Sequence, residues 1–162
     1  MSETAASGAT RQMAIARAGA VGSTVVAVDQ VVKHTVATSI NPGQVIHIVP
    51  GLQFVHVRNT GVAFGFLSGS GAPVYIVTAV ALIALIGFLV ARPDKWLLWL
   101  PTGMLVGGAI SNLIDRITRG SVIDFIKLPH WPAFNIADMN ITFGVIILVV
   151  VIELGARRAS RS

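Results

Sequence analysis

The fold class this sequence predicts is an α-helical polytopic membrane protein with four transmembrane helices and a small extracytoplasmic β-structure, and three observations predict it. Of 162 residues, 54% are apolar and only 12% are charged, against about a quarter charged in soluble domains. Long apolar runs recur, the clearest being the uncharged stretch 73–91, long enough at 1.5 Å per residue to cross a ~30 Å hydrocarbon core. Between the first two runs lies a segment with turn signals and β-branched residues in place of a helical pattern.

Residues 1–12 are small and polar without periodicity and are expected to form a disordered tail. A single embedded domain follows over 13–156, ending in a basic cytoplasmic tail at 157–162. The first span, about 13–37, is rich in Ala, Val and Gly, with Arg17 early and Asp29, Lys33 and His34 late. It continues past any small-residue cleavage site and carries an acid inside it, unlike a removable signal peptide. Asn41-Pro42-Gly43 and Pro50-Gly51 punctuate the loop 41–70, and the partial alternation from Gln44 to Arg58 predicts short strands there. After the span 73–91 comes one over about 96–114. Its Trp96 and Trp99 suit a membrane interface, and its Gly103, Gly107 and Gly108 permit close helix contact. The last span covers about 135–154. Seven Lys and Arg fall on the N-terminal flank, the 92–95 connection and the C-terminal tail, against five on the other side (Lys33, Arg58, Arg116, Arg119, Lys127). The positive-inside rule therefore puts both termini in the cytoplasm.

Composition excludes several functions. Without cysteine there is no disulfide, thiolate nucleophile or thiolate metal site, so a thiol oxidoreductase is ruled out. The net charge of +5 lies in short juxtamembrane groups not interleaved with aromatics, so no nucleic-acid partner is expected. His47, His56 and His130 lack acidic or thiol partners at ligand spacing; they read as loop and interface residues, and neither metal nor cofactor is expected.

The acids are more informative. Asp29, Asp115, Asp124 and Asp138 all lie near spans on the external side, where a charge is costly unless paired or used. Asn112, Asp115 and Arg116 stand at i, i+3 and i+4, on one side of a helix end. Asp124 lies in the β-like run 122–126, and Asp138 where the last helix begins. Pro129 and Pro132 break any continuous helix between them, so the chain can return and pair the two carboxylates. Two carboxylates in one low-dielectric site share a proton, the arrangement that activates water and protonates a leaving amine. Asp138, at a helix N-terminus, is the one the dipole favours as ionised, with Asp124 more often holding the proton, although a coupled pair titrates as a unit.

In order along the chain stand Asp29-Gln30 with Lys33; Asn59-Thr60-Gly61-Val62-Ala63-Phe64-Gly65; Gly107-Gly108-Ala109 through Asn112, Asp115, Arg116 and Gly120 to Asp124-Phe125; and Phe134-Asn135-Ile136-Ala137-Asp138. Over almost the whole chain past the tail this resembles the lipoprotein signal peptidase (signal peptidase II) family. The resemblance implies a bacterial cell-membrane aspartic endopeptidase that uses no metal, with Asp124 and Asp138 as the catalytic pair. Its substrates would be diacylglyceryl-modified prolipoproteins, cut on the N-terminal side of the lipidated cysteine, and the active site would face the extracytoplasmic side. Asn59, Asn112, Arg116 and Asn135 would bind substrate or orient the aspartates, with Asp29, Lys33 and Asp115 as structural support. Membrane lipid would be the other partner, and the enzyme would act as a monomer. The chain departs from the family at Ser111, where Gly is usual, and in a short connection between the two catalytic motifs.

Two other classes compete with this reading. A proton-coupled transporter needs acids spaced through the membrane depth, whereas these gather towards one face. A non-enzymatic scaffold predicts that both aspartates are dispensable.

Overall fold

The structure, a computed structural model, describes residues 2–60, 72–91 and 97–159. Four helices and three strands follow in order: α1 (Ser2–Ser39), β1 (Val45–Val49), β2 (Leu52–Asn59), α2 (Ala72–Ala91), α3 (Trp99–Arg119), β3 (Val122–Lys127) and α4 (Ile136–Ala159). Gly61 to Gly65 and Trp96, named above, lie outside the described residues, as do Arg92, Lys95 and Arg161 among the basic residues counted there.

The helix begins at Ser2, so the tail expected over 1–12 is corrected: residues 2–12 belong to α1. They contain no Pro, and Ala5, Ala6 and Ala9 are strong helix formers that prolong a helix already nucleated downstream. The third apolar run, expected at 96–114, is helical over Trp99–Arg119, five residues further. Its polar end stays helical until Gly120 stops it in the left-handed region at φ 71°, donating its N–H to the Arg116 carbonyl at 3.1 Å. The fourth helix starts one residue late, because Asn135 caps it.

Among the described residues, Gly8–Ser39 and Ile136–Arg157 contain stretches long and apolar enough to cross a membrane. Large apolar side chains face outwards on these helices and on α2, among them Val31, Ile83, Val149 and Val150. Such a surface suits lipid and not water.

Helix α3 is central, packing on α1 along one side and α4 along the other. A Cβ on Gly103 would sit 2.6 Å from the Ala18 carbonyl oxygen, and one on Gly107 equally close to that of Gly22. The small-residue spacing thus lets two backbones touch. One turn beyond the Gly103 contact on the same seam, Arg17 lies over the Trp99 ring at 5.8 Å.

The strands form one antiparallel sheet in the order β1-β2-β3. Its inner face packs Ile123 and Phe125 on Val36 and Ile40 at the end of α1, with Phe54 edge-on to Phe125. Here the expected position of His56 is corrected. It is a buried strand residue, its Nδ1 2.8 Å from the Ile40 carbonyl oxygen, because β2 turns that position towards α1. After β3 the chain doubles back at Pro129 to Pro132, and Phe134 pairs with Ile126. That return carries Asn135 alongside β3 and sets the start of α4 against Asp124.

Candidate active site

Strand pairing holds Asp124 in place, with Val57 of β2 as its cross-strand partner and its side chain 2% exposed. Asp138 occupies the first turn of α4, where a reciprocal cap forms. The Asn135 side-chain oxygen accepts the Asp138 N–H at 2.8 Å, and an Asp138 oxygen accepts the Asn135 N–H at 3.2 Å. This is a capping box with Asn and Asp in its two roles. Its geometry leaves the Asn135 amide nitrogen pointing away, and it donates to Asp124 Oδ1 at 2.7 Å. One asparagine therefore ties the two carboxylates together.

Two further amides complete the ring. Asn59, at the end of β2, donates to Asp124 Oδ2 at 2.9 Å, and Asn112 of α3 donates to Asp138 Oδ1 at 2.8 Å. Burial pushes the Asp124 carboxyl up to about 6; the Asp138 charge adds to the rise, while the Asn59 and Asn135 donors oppose it. Arg116, half-buried, reaches the Asn112 backbone oxygen at 3.4 Å. Of the four residues expected to bind substrate or orient the aspartates, Asn59, Asn112 and Asn135 thus contact the pair, and Arg116 lies one turn beyond Asn112.

Asp29, Lys33 and Asp115 form a fully buried cluster immediately behind. Lys33 Nζ lies 2.7 Å from Asp29 Oδ2, 2.8 Å from Asp115 Oδ2 and 2.9 Å from Asn112 Oδ1. Asp29 also accepts the Ala137 N–H at 2.9 Å, one of the orphan donors of the first turn of α4, next to Asp138. Sequence reasoning missed three members of this network. Ser111 donates to Asp29 Oδ2 at 2.7 Å, Gln30 donates to Ser111 Oγ at 3.0 Å and to Asp115 Oδ1 at 3.1 Å, and Arg119 pairs with Asp115. The i, i+4 spacing of Asp115 and Arg119 was a visible signal. The Ser111 and Gln30 bonds cross between helices and had none. Among the described residues no group of three or more His, Asp or Glu side chains comes together as a metal site.

Ser111 stands where a glycine would leave a buried carboxylate one donor short. Ser111→Ala is expected to lower stability by about 1.5–3 kcal/mol, the range for hydrogen bonds to charged groups, measured as chemical unfolding in detergent micelles. An unchanged midpoint would mean that the Ser111 hydroxyl does not bond Asp29.

Comparison with known proteins came out consistently. The family described as Signal peptidase (SPase) II matches residues 21–154. A lipoprotein signal peptidase of Moorella thermoacetica is 41% identical over 126 residues, covering 76% of this chain and 84% of the relative. One from Geobacter metallireducens is 41% identical over 143 residues, covering 83% and 88%. Two solved structures, each described as a bacterial membrane enzyme, superpose with TM-scores of 0.81 and 0.77 at 33% and 34% identity. They cover 91% and 85% of this chain, and 93% of each solved chain.

Proposed function

The chain belongs to the signal peptidase II family, and from that premise we propose that it is an intramembrane aspartic endopeptidase acting on diacylglyceryl-modified prolipoproteins. It cuts on the N-terminal side of the lipidated cysteine, with Asp124 and Asp138 as the catalytic pair. The observation that carries this reading is the bridging of the two carboxylates by Asn135, within a ring of amide donors. Asp138 lies in the first turn of a helix, whose dipole favours its ionised form, and Asp124, pushed up to about 6 by burial, holds the proton. Asp138 takes a proton from water, whose oxygen bonds to the scissile carbonyl carbon. The C–N bond then breaks, and the Asp124 proton passes to the departing nitrogen. The dyad ends with one proton, as it began.

Substrate would be held by Asn59, Asn112 and Asn135, which contact the pair, and by Arg116 one turn beyond Asn112. An apolar cavity of about 580 Å³ between α1, α2 and α3 reaches up to Ala27 and Ile110. It offers apolar room between the helices, ending one turn short of the buried network, for the greasy part of a lipidated precursor. All four helices cross the membrane in this reading, with both termini cytoplasmic, the sheet and the dyad on the extracytoplasmic side, and the enzyme a monomer. A transporter relay is disfavoured because Asp29, Asp115, Asp124 and Asp138 form one cluster at one end of the helices.

The direct test incubates the full chain in detergent with a diacylglyceryl-modified prolipoprotein and follows the substrate by mass. Loss of the segment before the lipidated cysteine is expected; intact substrate with folded protein would refute the reading. Acidity gives a second check. An Asp124 carboxyl raised to about 6 keeps its proton below that pH and loses it above. The kcat/KM should therefore fall about tenfold per pH unit on the alkaline side. A rate constant to pH 8 would show that Asp124 is not the proton donor.

A further inference from the structure

Asn112 has two chemically different ends, and which end faces Asp138 decides whether that carboxylate is offered a proton donor or an oxygen. Lys33 removes the choice. An ammonium has three donors and no acceptor, and all three acceptors within reach are taken up: Asp29 Oδ2, Asp115 Oδ2 and Asn112 Oδ1. Reversing the Asn112 amide would set its NH₂ against the ammonium and its oxygen against a carboxylate. The nitrogen end must therefore point to Asp138 Oδ1. The same lock acts on Asn135, whose oxygen is held by the Asp138 backbone N–H, so that its nitrogen must donate to Asp124 Oδ1 and can also reach Asn112 Oδ1 at 3.2 Å.

We propose that Lys33 is a positioning residue: through Asn112 it fixes the direction of the hydrogen bond to Asp138, so that an N–H donor and not an oxygen faces the carboxylate that takes the water proton. The inference rests on the aspartic reading above. It gives Lys33 a task beyond neutralising Asp29 and Asp115, which support alone would require. The groups facing Lys33 are Asp29 from α1 and Asp115 and Asn112 from α3. Those contacting the pair are Asn59 from β2, Asn112 from α3 and Asn135 at the head of α4, with Arg116 one turn beyond Asn112, while Arg119 closes the outer side of Asp115. Asp29 bonds Ala137, so the same cluster also fixes the turn that carries Asp138.

Lys33→Met alone would strand two buried carboxylates, so the test uses Lys33→Met/Asp115→Asn, which keeps the cluster's formal charge. Asp115→Asn serves as the comparison, since it leaves the bond from Lys33 to Asn112 in place. With the lipidated precursor as substrate, the double variant is expected to lose about 100-fold or more in kcat relative to Asp115→Asn, with KM within about threefold. The acid limb of its kcat/KM profile, where the dyad gains a second proton, should move to higher pH because a cation beside the pair is gone. In parallel, the Asn112 side-chain amide protons, read by NMR in the full chain, should lose their protection from exchange. A double variant with the kcat and pH profile of Asp115→Asn overturns the proposal, and so does a fall in kcat with the Asn112 amide unmoved. The wild-type protein provides a check that needs no variant to fold: Asn112 amide protons showing contacts to the Lys33 side chain instead of the first turn of α4 also overturn it. Failure of the wild-type chain to cleave would instead refute the aspartic reading, while the amide measurement would still judge the position of Lys33.

Discussion

Asp124→Asn and Asp138→Asn are each expected to reduce cleavage by at least about 10³-fold, because removing either carboxylate removes one of the two proton transfers on which the reaction depends. Neither change should unfold the protein. Each side chain keeps its volume, the sheet pairing around Asp124 rests on backbone groups, and the half of the α4 cap in which the Asn135 side chain accepts the Asp138 N–H does not use the carboxylate. For Asp124 the sign of the pH effect sharpens the test. Its folded value of about 6 lies above the ordinary carboxyl value, so the native state holds more protons than the unfolded chain in between. Its contribution to stability is full at low pH and is lost as pH rises through about 6. Asp124→Asn has no such carboxyl and should show a flatter dependence of unfolding on pH. Ordinary turnover by either variant would remove the dyad from the mechanism.

Gly108→Ala is expected to lower kcat on the order of 100-fold. A Cβ there would lie 2.6 Å from the Ala137 carbonyl oxygen and 2.8 Å from Ile141 Cγ1, where ordinary contact begins at 3.4 Å. The first of these is backbone and cannot rotate away, so α3 and α4 must part. Ala137 precedes Asp138 and donates its N–H to Asp29, so the displacement falls on the bond from Asn112 to Asp138. Misplacing a catalytic group by about 1 Å commonly costs about two orders of magnitude, and overpacking adds about 1–3 kcal/mol of destabilisation. Gly87→Ala provides the control: among the described residues nothing lies within 4 Å of a Cβ there, and the change should leave both rate and stability near wild type. If Gly108→Ala behaved like Gly87→Ala, the close approach of α3 and α4 would be wrong.

Much of the site could be read along the chain because its contacts are local. Asp29 with Lys33 is an i, i+4 pair, and Asn135 with Asp138 has the spacing of a helix cap. The motif order pointed to both aspartates and to the asparagines beside them. The sequence also foretold the position of the sheet, since Pro-Gly and Asn-Pro-Gly turns frame β-branched residues where β1 and β2 form. It misjudged the polar stretches at helix ends. Residues 2–12, and those after Ile114, look unsuited to lipid, yet helix formation requires only good backbone propensity and no breaker.

What the sequence by itself determined is therefore a lipid-embedded helical chain, its turns, its caps and the identity of the acids at one end of it. Only the tertiary structure decided that Lys33 belongs to Asp115 and Asn112 as much as to Asp29, that Ser111 and Gln30 join the buried network, and that Asn135 bridges the two carboxylates. The physical reason is that a spacing along one helix fixes which side chains share a face. Which faces meet depends on the rotation and approach of separate helices, set here by glycines that bring α1, α3 and α4 into backbone contact.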